Sequence, residues 1–250
     1  MIDFRLGDCL EVMKSLPSQS IDLTVTSPPY DNLRTYNGYL FDFENIAKEL
    51  YRVTKDGGVV VWVVGDATIN GSETGTSFKQ ALYFKEIGFN LHDTMIWQKP
   101  YPKPLTHNRY EQAFEYMFVL SKNKPKSFNG IKDKENVGCG RITTGTWRDV
   151  DGTTKPKSKV NKGVTPKFGL RGNVWSIKTT TGKNDHPATF PEQLAHDHII
   201  SWSNECDTVL DCFLGSGTTG KVAKQLNRNF VGIEISPEYL EIAKKRIEQY

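Results

Sequence analysis

The sequence has few cysteines and no long apolar run. Its four cysteines are too few and too scattered for a disulfide framework, and none forms a CxxC pair of the kind zinc sites use: Cys9, Cys139, Cys206 and Cys212. No apolar stretch approaches the ~20 residues that a membrane-spanning helix needs. The first residues lack an apolar core followed by a cleavage site, so no signal peptide is predicted. We therefore expect a reduced, cytoplasmic protein without a metal and without membrane contact.

An excess of charge of one sign is also missing, since the net charge of the 250 residues is only +3. With 37% hydrophobic and 24% charged residues, the composition excludes a disordered or fibrous chain. The charge is unevenly spread, however. Residues 121–172 contain thirteen basic and four acidic side chains, a balance of +9, which leaves −6 for the rest. Clustered Lys and Arg are typical of a polyanion-binding arm but also of a solvated insertion, and charge alone leaves both interpretations open.

Strand-like and helix-like patterns alternate on both sides of this basic segment. The predicted strands are 21–26, 59–64, 94–97, 114–120, 208–211 and 229–234. The predicted helices are 42–54, 77–87, 191–203, 218–226 and 237–249. Such alternation predicts a mainly parallel sheet covered by helices on both faces.

A glycine-rich motif, Asp211-Cys-Phe-Leu-Gly-Ser-Gly-Thr-Thr-Gly220, joins one of these strands to the next helix. Its glycines allow a tight turn and a close approach of a ligand to the backbone. Glu234 ends the following strand, where an acid suits the two hydroxyls of an adenosine ribose. The motif indicates a nucleoside cofactor without naming it. Because it contains GxGxxG, a nicotinamide-dependent dehydrogenase is one alternative, and a purely structural glycine turn is another.

A second motif, Thr26-Ser-Pro-Pro-Tyr30, follows the first of these predicted strands. Two prolines exclude both strand and helix, so the strand must end in a stiff loop. The loop offers a hydroxyl and a carbonyl that can accept the hydrogens of an exocyclic amine, and Tyr30 can stack on a planar base. An ordinary proline turn is the alternative interpretation. A dehydrogenase has no need of such a loop.

Together the two loops resemble those of the amino-group DNA methyltransferases that use S-adenosylmethionine. The resemblance extends to Gly7-Asp8 and to His186-Pro-Ala-Thr-Phe-Pro191. It implies a Rossmann-like class I methyltransferase fold of the α/β class, with a mainly parallel seven-stranded sheet. The resemblance identifies residues 27–30 as the catalytic loop and residues 213–217 as the cofactor loop. The catalytic loop precedes the cofactor loop in this sequence, as in the β group of the family. This circularly permuted order predicts that residues 2–8 supply the strand missing after the last helix.

The resemblance also implies how the chain is organised. Residues 1–120 are expected to be the catalytic part of one domain, and residues 173–250 its cofactor-binding part. Residues 121–172 are expected to be an inserted basic target-recognition segment. A protein of this family would be encoded by a bacterium, an archaeon or a phage.

Residue roles follow from the same resemblance. The implied catalytic residues are Ser27, Pro28, Pro29 and Tyr30. The implied cofactor-binding residues are Asp8, Pro187, Phe190, Asp211, Phe213, Gly215, Ser216, Gly217, Thr218, Thr219, Glu234 and Ile235. Candidates for DNA contact are Arg34, His107, Arg109, Arg141, Arg148, Lys157, Lys159, Lys167 and Arg171.

Some of these roles are more specific. Glu234 is expected to bind the ribose hydroxyls, Ile235 to pack on the adenine and Asp8 to bond its amino group. Pro187, Phe190 and Pro191 would shape the methionine end of the site. Thr218 and Thr219 would either bond the carboxylate or cap the helix. We also expect Gly217→Arg to abolish cofactor binding.

The implied reaction moves the methyl group of S-adenosylmethionine to the exocyclic nitrogen of a flipped base, with no cysteine nucleophile and no metal. In the family, Ser at the first position of the catalytic loop is associated with cytosine N4, so Ser27 favours cytosine; adenine N6 is the alternative. The expected partner is DNA with a short recognition sequence. A companion restriction nuclease, and either a monomer or a homodimer, are compatible with the resemblance. A non-catalytic nucleic-acid-binding protein is a hypothesis from another class, and RNA or a protein glutamine is another acceptor.

Overall fold

The computed structural model describes residues 1–29, 41–102, 108–142, 145–156, 164–179 and 190–249. They form two compact units, one made of residues 1–129 and 173–250 and the other of residues 130–172. The strands are β1 (Ile2–Leu6), β2 (Ile21–Thr26), β3 (Thr54–Val64), β4 (Thr68–Ile69), β5 (Ser72–Glu73), β6 (Asn90–Gln98), β7 (Phe114–Ser121), β8 (Lys134–Glu135), β9 (Thr146–Arg148), β10 (Thr154–Pro156), β11 (Phe168–Gly169), β12 (Val174–Ser176), β13 (Thr208–Asp211) and β14 (Asn229–Glu234). The helices are α1 (Cys9–Lys14), α2 (Phe43–Val53), α3 (Thr76–Glu86), α4 (Glu192–Trp202), α5 (Thr218–Gln225) and α6 (Pro237–Glu248).

One large sheet organises the first unit. Within the described residues its strand order is β1-β14-β13-β2-β3-β7-β6-β12, and every strand pairs in parallel except β7, which is antiparallel to both neighbours. The prediction of a mainly parallel sheet is confirmed. The structure adds an eighth strand to the seven expected, the three-residue β12 beside β6, which is too short to show a periodic pattern.

The N-terminus supplies a strand of the cofactor half of the sheet. β1 pairs in parallel with β14, from Ile2 opposite Phe230 to Leu6 opposite Glu234. The sheet therefore gains the strand that would otherwise follow the last helix, and the predicted circular permutation is confirmed.

Helices cover both faces of the sheet because each buried strand points alternate residues to opposite sides. Val209 packs in a core with α4, α5 and α6, whereas its neighbour Leu210 packs in a second core with α1, α2 and α3. Fully buried side chains such as Leu194 and Leu50 anchor these helices, and each contributes about 1.5–3 kcal/mol through burial. The sheet therefore lies between two packed layers of helices.

Local signals explain where the elements begin and end. Asp42 caps α2 by accepting a hydrogen bond from the Asn45 backbone N–H, and Ser236 caps α6 in the same way, just before Pro237. β3 begins at Thr54 rather than at the predicted residue 59. A shift in its register with β2 accommodates Gly57, which has φ +74°, so this glycine lies within the strand instead of before it.

The second unit contains two short antiparallel ladders, β9 with β10 and β8 with β11. It begins at Gly130 rather than at the predicted residue 121. Residues 121–129 belong to the first unit: the Lys122 ammonium donates to the Tyr51 carbonyl at 2.8 Å, and the Asn129 amide donates to the Ile200 carbonyl at 3.1 Å. Among the helices described in either unit, none is long and apolar enough to cross a membrane.

Candidate active site

The two loop motifs begin side by side at a switch point of the sheet. β2 and β13 are neighbours, but β2 leads through α2 to β3 on one side, whereas β13 leads through α5 to β14 on the other. At such a point the carboxyl ends of the strands border a crevice, which is where open α/β sheets bind ligands. The predicted catalytic and cofactor loops, far apart in sequence, therefore border the same crevice.

A buried hydrogen bond joins the bases of these two loops. The Thr26 hydroxyl, directly before Ser27, donates to Oδ1 of Asp211 at 2.7 Å, and the Phe213 backbone N–H donates to the same oxygen at 3.1 Å. Burial raises the pKa of Asp211 to about 6, against the lowering effect of these hydrogen bonds. The Asp211 carboxyl thus ties the start of the catalytic loop to the start of the cofactor loop.

The cofactor loop requires glycine for two reasons at Gly217. This residue has φ +81° and precedes the first residue of α5, so the backbone turns through a left-handed conformation. In addition, an added Cβ would lie 2.9 Å from the Cβ of Ala243 in α6. Gly217→Arg would therefore disturb helix packing, and a loss of cofactor binding in that variant would not report on the crevice as we expected.

Glu234 is held by two backbone groups. Its Oε2 accepts from the Gly215 N–H at 2.8 Å, and its Oε1 accepts from the Ser236 N–H at 2.9 Å. Each carboxylate oxygen retains acceptor capacity, so the side chain is oriented to accept two further hydrogen bonds. Beside it, Ile235 is an exposed apolar side chain, with 49% of its surface accessible. An acidic acceptor next to an apolar surface fits a ribose and its base.

Asp8 lies beside this position, because the Gly7 N–H donates to the Glu234 carbonyl at 2.9 Å. Its carboxylate caps α1 by accepting from the Glu11 N–H at 3.1 Å. This capping role was not predicted, because no pattern in the sequence indicated the short helix α1.

Neither threonine at the start of α5 caps the helix, so that alternative is wrong. Gly217 occupies the cap position, and no side chain bonds the first-turn N–H groups. The Thr219 hydroxyl instead donates to the Val25 carbonyl at 3.3 Å, and the Thr218 hydroxyl accepts from the Arg246 guanidinium at 3.2 Å. The start of α5 therefore keeps N–H groups that favour an anion.

Aromatic rings that sequence analysis overlooked surround Phe213. Its ring centroid lies 5.8 Å from that of Phe41 and 6.3 Å from that of Trp62, both in edge-on arrangements. Such pairs fix ring positions beyond what burial alone does. The sequence offered one signal of this cluster, which is Trp62 within the apolar run of β3. An apolar run does not indicate, however, which residues a given side chain in it contacts.

The remaining predicted site residues fall into three groups. Pro28 is buried, and Ser27, Pro29 and Phe190 are partly buried at the ends of their elements. Ser216, between the two glycines of the loop, is buried and accepts from Arg246. Lying outside the described residues are Tyr30, Arg34, His107, Lys157, Lys159 and Pro187.

Several candidates for DNA contact have partners within the protein. Arg109 lies 3.7 Å from the Glu73 carboxylate and donates to the Gly71 carbonyl, so it holds the β4–β5 hairpin. Arg171 pairs with Asp133 inside the second unit. Three further candidates for DNA contact lie within the described residues. Arg148 donates from Nε to the Gly152 carbonyl at 3.2 Å, and the Lys167 ammonium lies 5.2 Å from the centroid of the Phe168 ring. Arg141 is exposed.

A family model described as DNA methylase, covering N6- and N4-directed enzymes, matches residues 21–245. The chain belongs to this family. It is 54% identical over 255 residues to the orphan methyltransferase M.BamHII of Bacillus amyloliquefaciens, covering 98% of this chain and 92% of that protein. The predicted resemblance is thereby confirmed.

Solved structures of other DNA methylases share the fold. The cytosine-N4-specific PvuII DNA methyltransferase is 25% identical with a TM-score of 0.70, covering 98% of this chain and 86% of that one. The complex of M1.HpyAVI with S-adenosylmethionine is 26% identical with a TM-score of 0.67, covering 98% of this chain and all of that one. The class I methyltransferase fold is confirmed.

S-adenosylmethionine is the cofactor of this DNA methylase, and the residues of the crevice fit it. Glu234 offers oriented carboxylate acceptors, Ile235 offers an apolar surface, and α5 offers N–H groups that no side chain caps. Among the described residues, no group of three or more His, Cys, Asp or Glu side chains could hold a metal ion.

Proposed function

We propose that this DNA methylase modifies the exocyclic amino group of a base flipped out of duplex DNA at a specific sequence, and that the base is cytosine, methylated at N4. One observation carries the proposal: the Thr26–Asp211 hydrogen bond of 2.7 Å, which joins the loop suited to an amine to the loop suited to an adenosine cofactor. Two such loops at one crevice are what a direct transfer between a base and a nucleoside cofactor requires.

Ser27 and the Pro28 carbonyl bind the amine in this proposal. An amine conjugated into a base ring is a poor nucleophile, because its lone pair is delocalised. Accepting both amine hydrogens at Ser27 and Pro28 favours a pyramidal nitrogen with its lone pair free. Tyr30 stacks on the ring of the flipped base. Bound S-adenosylmethionine would supply the methyl group as an activated sulfonium and would leave as S-adenosylhomocysteine, while the methylated nitrogen would release one of its protons to water.

The cofactor is held by residues of both halves of the sheet. Glu234 accepts the ribose hydroxyls, Ile235 packs on the adenine and Asp8 accepts from its amino group. Phe213, Gly215 and Gly217 lie along the cofactor, with Asp211 nearby, and Ser216, Thr218 and Thr219 belong to the same set. Pro187 and Phe190 shape the methionine end.

Cytosine N4 is proposed on the strength of Ser27 as the first residue of the catalytic loop. Adenine N6 is the alternative, since its amine presents the same two hydrogens to the same acceptors.

Residues 130–172 form the target-recognition unit in this proposal, which moves its start from the predicted residue 121 to residue 130. They contain ten basic and four acidic side chains and therefore complement phosphates. A unit of this size supports a short recognition sequence, read by a few side chains together with phosphate contacts. The proposal is compatible with a companion restriction nuclease and with either a monomer or a homodimer.

The test is incubation of the protein with mixed duplex DNA and isotopically labelled S-adenosylmethionine, followed by digestion to nucleosides and mass spectrometry. N4-methylcytosine is the expected product. N6-methyladenine would overturn the choice of base but not the mechanism. Cofactor binding with no labelled nucleoside in the DNA would contradict the proposed reaction.

A substitution in the catalytic loop sharpens this test. Ser27→Ala should lose transfer while still binding S-adenosylhomocysteine, because Ser27 acts on the amine. Ser18→Ala is the matched control, since Ser18 is exposed before the opposite end of β2. Unchanged transfer in Ser27→Ala would remove Ser27 from the catalytic set.

A further inference from the structure

Helix α6 presents three residues of one face to the cofactor loop and the start of α5. Ala243, Arg246 and Ile247 are spaced i, i+3 and i+4, so they lie on the same side of the helix. Cβ atoms added at Gly217 and Gly220 would lie 2.9 Å from Ala243 and 2.5 Å from Ile247, respectively. Close packing against glycine on both sides of Arg246 brings its guanidinium to the polar atoms of the loop.

The Arg246 guanidinium donates to two hydroxyl groups of the loop region. Its Nη1 lies 3.0 Å from Ser216 Oγ, 3.2 Å from the Ser216 carbonyl and 3.2 Å from Thr218 Oγ1. A hydroxyl that accepts a hydrogen bond still has its own hydrogen to donate. Arg246 therefore leaves Ser216 and Thr218 as donors, beside helix N–H groups that also favour an anion.

Glu192 holds this guanidinium in place, and Lys221 in turn holds Glu192. Oε1 of Glu192 accepts from Arg246 Nη2 at 2.7 Å and from the Lys221 ammonium at 2.8 Å. Partial burial raises the pKa of Glu192, but the hydrogen bonds from Lys221 and Arg246 outweigh that effect and lower it, so the carboxylate is ionised. The two cations and one anion give this cluster of three side chains a net positive charge.

The position of Glu192 connects this cluster to the methionine end of the proposed site. It is the first residue of α4 and follows Phe190 and Pro191 directly. Phe190 packs on the same core as α5 and α6. The cluster thus joins the segment expected at the methionine end to the loop expected at the carboxylate.

We propose that Arg246 is a positioning residue that acts through the Ser216 and Thr218 hydroxyls to bind the carboxylate of the cofactor's methionine moiety, with Glu192, itself held by Lys221, fixing its guanidinium. This inference rests on the proposed cofactor site. It adds a third element, α6, to the two loops that sequence motifs identify.

Two ligands that differ at the methionine end test this role. S-adenosylhomocysteine carries the carboxylate, and 5′-methylthioadenosine lacks it but keeps the adenosine. By isothermal titration, Arg246→Gln should weaken S-adenosylhomocysteine binding about tenfold or more, because a charge-assisted interaction is removed, and should leave methylthioadenosine binding unchanged. Lys244→Gln, on the exposed side of α6 where Lys244 pairs with Glu241, is the control and should change neither affinity.

A double variant, Ser216→Ala with Thr218→Val, tests the same role with Arg246 intact, should Arg246→Gln fail to fold. It should show the same loss, confined to the ligand with the carboxylate. Equal weakening of both ligands in either variant would reduce Arg246 to a purely structural residue and overturn the proposal, as would unchanged binding of both. If the unmodified protein bound neither ligand, the proposed cofactor site itself would fail, a result distinct from either of these.

Discussion

Asp211 is a fully buried carboxyl group whose ionisation couples to folding. Burial raises its pKa to about 6, above the 3.8 of an exposed aspartate, so the folded chain binds a proton more readily than the unfolded chain. The stabilisation that follows is complete below about pH 4 and is lost as the pH rises through 6. The hydrogen bond from Thr26 persists in either protonation state, because one oxygen remains an acceptor.

Asp211→Asn should remove this pH dependence. Between pH 4 and pH 7 the unmodified protein should lose, relative to the variant, on the order of 2 kcal/mol of unfolding free energy. Urea denaturation across that range measures the difference, and Asp56→Asn, at an exposed position, is the control. Parallel pH profiles for the unmodified protein and Asp211→Asn would show that the folded state does not perturb this carboxyl.

At the scale of elements, α5 and α6 approach closely because glycine lies between them. A Cβ added at Gly220 would lie 2.5 Å from both Ile247 and the ring of Phe230, a distance that real side chains do not tolerate. The residues that meet it belong to the core and have little room to move. Together with Gly217, this position therefore allows α6 to pack closely against α5.

Gly220→Ala should destabilise the first unit by about 1–3 kcal/mol through overpacking, despite the better helix propensity of alanine. A lower midpoint in thermal unfolding is the measurement. Gly145→Ala, where an added Cβ meets nothing within 4 Å, should leave the midpoint unchanged. A stability gain at Gly220 would mean that α6 can shift outward at little cost.

Periodicity predicted the long elements well, because burial on one face imposes a pattern on the sequence. The strand at 229–234 and the helix at 237–249 agree with the structure to within one residue. Helix α1 and strand β12 were not predicted, because six and three residues are too few to show a period. The start of β3 was misplaced because glycines that commonly end an element lie inside a bulge here.

The candidate site was predictable only where a motif is local. The Ser27–Tyr30 and Phe213–Gly217 loops are contiguous, so residue types and spacing identify them. Thr26 meets Asp211 across 185 positions and Arg246 meets Glu192 across 54, and no local pattern marks either pair. Contacts of this kind arise from the strand order and helix packing, so they became visible only with the fold.

At the scale of the whole molecule, the charge is divided between the two units. The second unit carries a net excess of six basic residues in 43 positions, from 130 to 172, whereas the chain as a whole is only +3. Its internal ion pairs, Arg171 with Asp133 and Lys155 with Asp149, account for two of its acids. The exposed basic side chains that remain give this unit the charge that phosphate binding needs.

Neutralising Lys132, Lys134 and Arg141 to Gln should weaken DNA binding and reduce its salt dependence. All three are exposed in the second unit, and the slope of log K against log salt should fall by about 0.9 for each phosphate that the variant no longer neutralises. Fluorescence anisotropy across a salt series measures both quantities. Binding of S-adenosylhomocysteine should stay unchanged, because the cofactor residues belong to the first unit.

The matched control neutralises Lys14, Lys48 and Lys85, which are exposed on α1, α2 and α3. It removes the same total charge from the first unit, so it separates local phosphate binding from the effect of net charge. If both triple variants weaken DNA binding equally, the second unit contributes only to the overall electrostatic field of the molecule. Weaker binding confined to the second-unit variant would place the DNA backbone there, because only charges that bind phosphate release counterions and so change the salt slope.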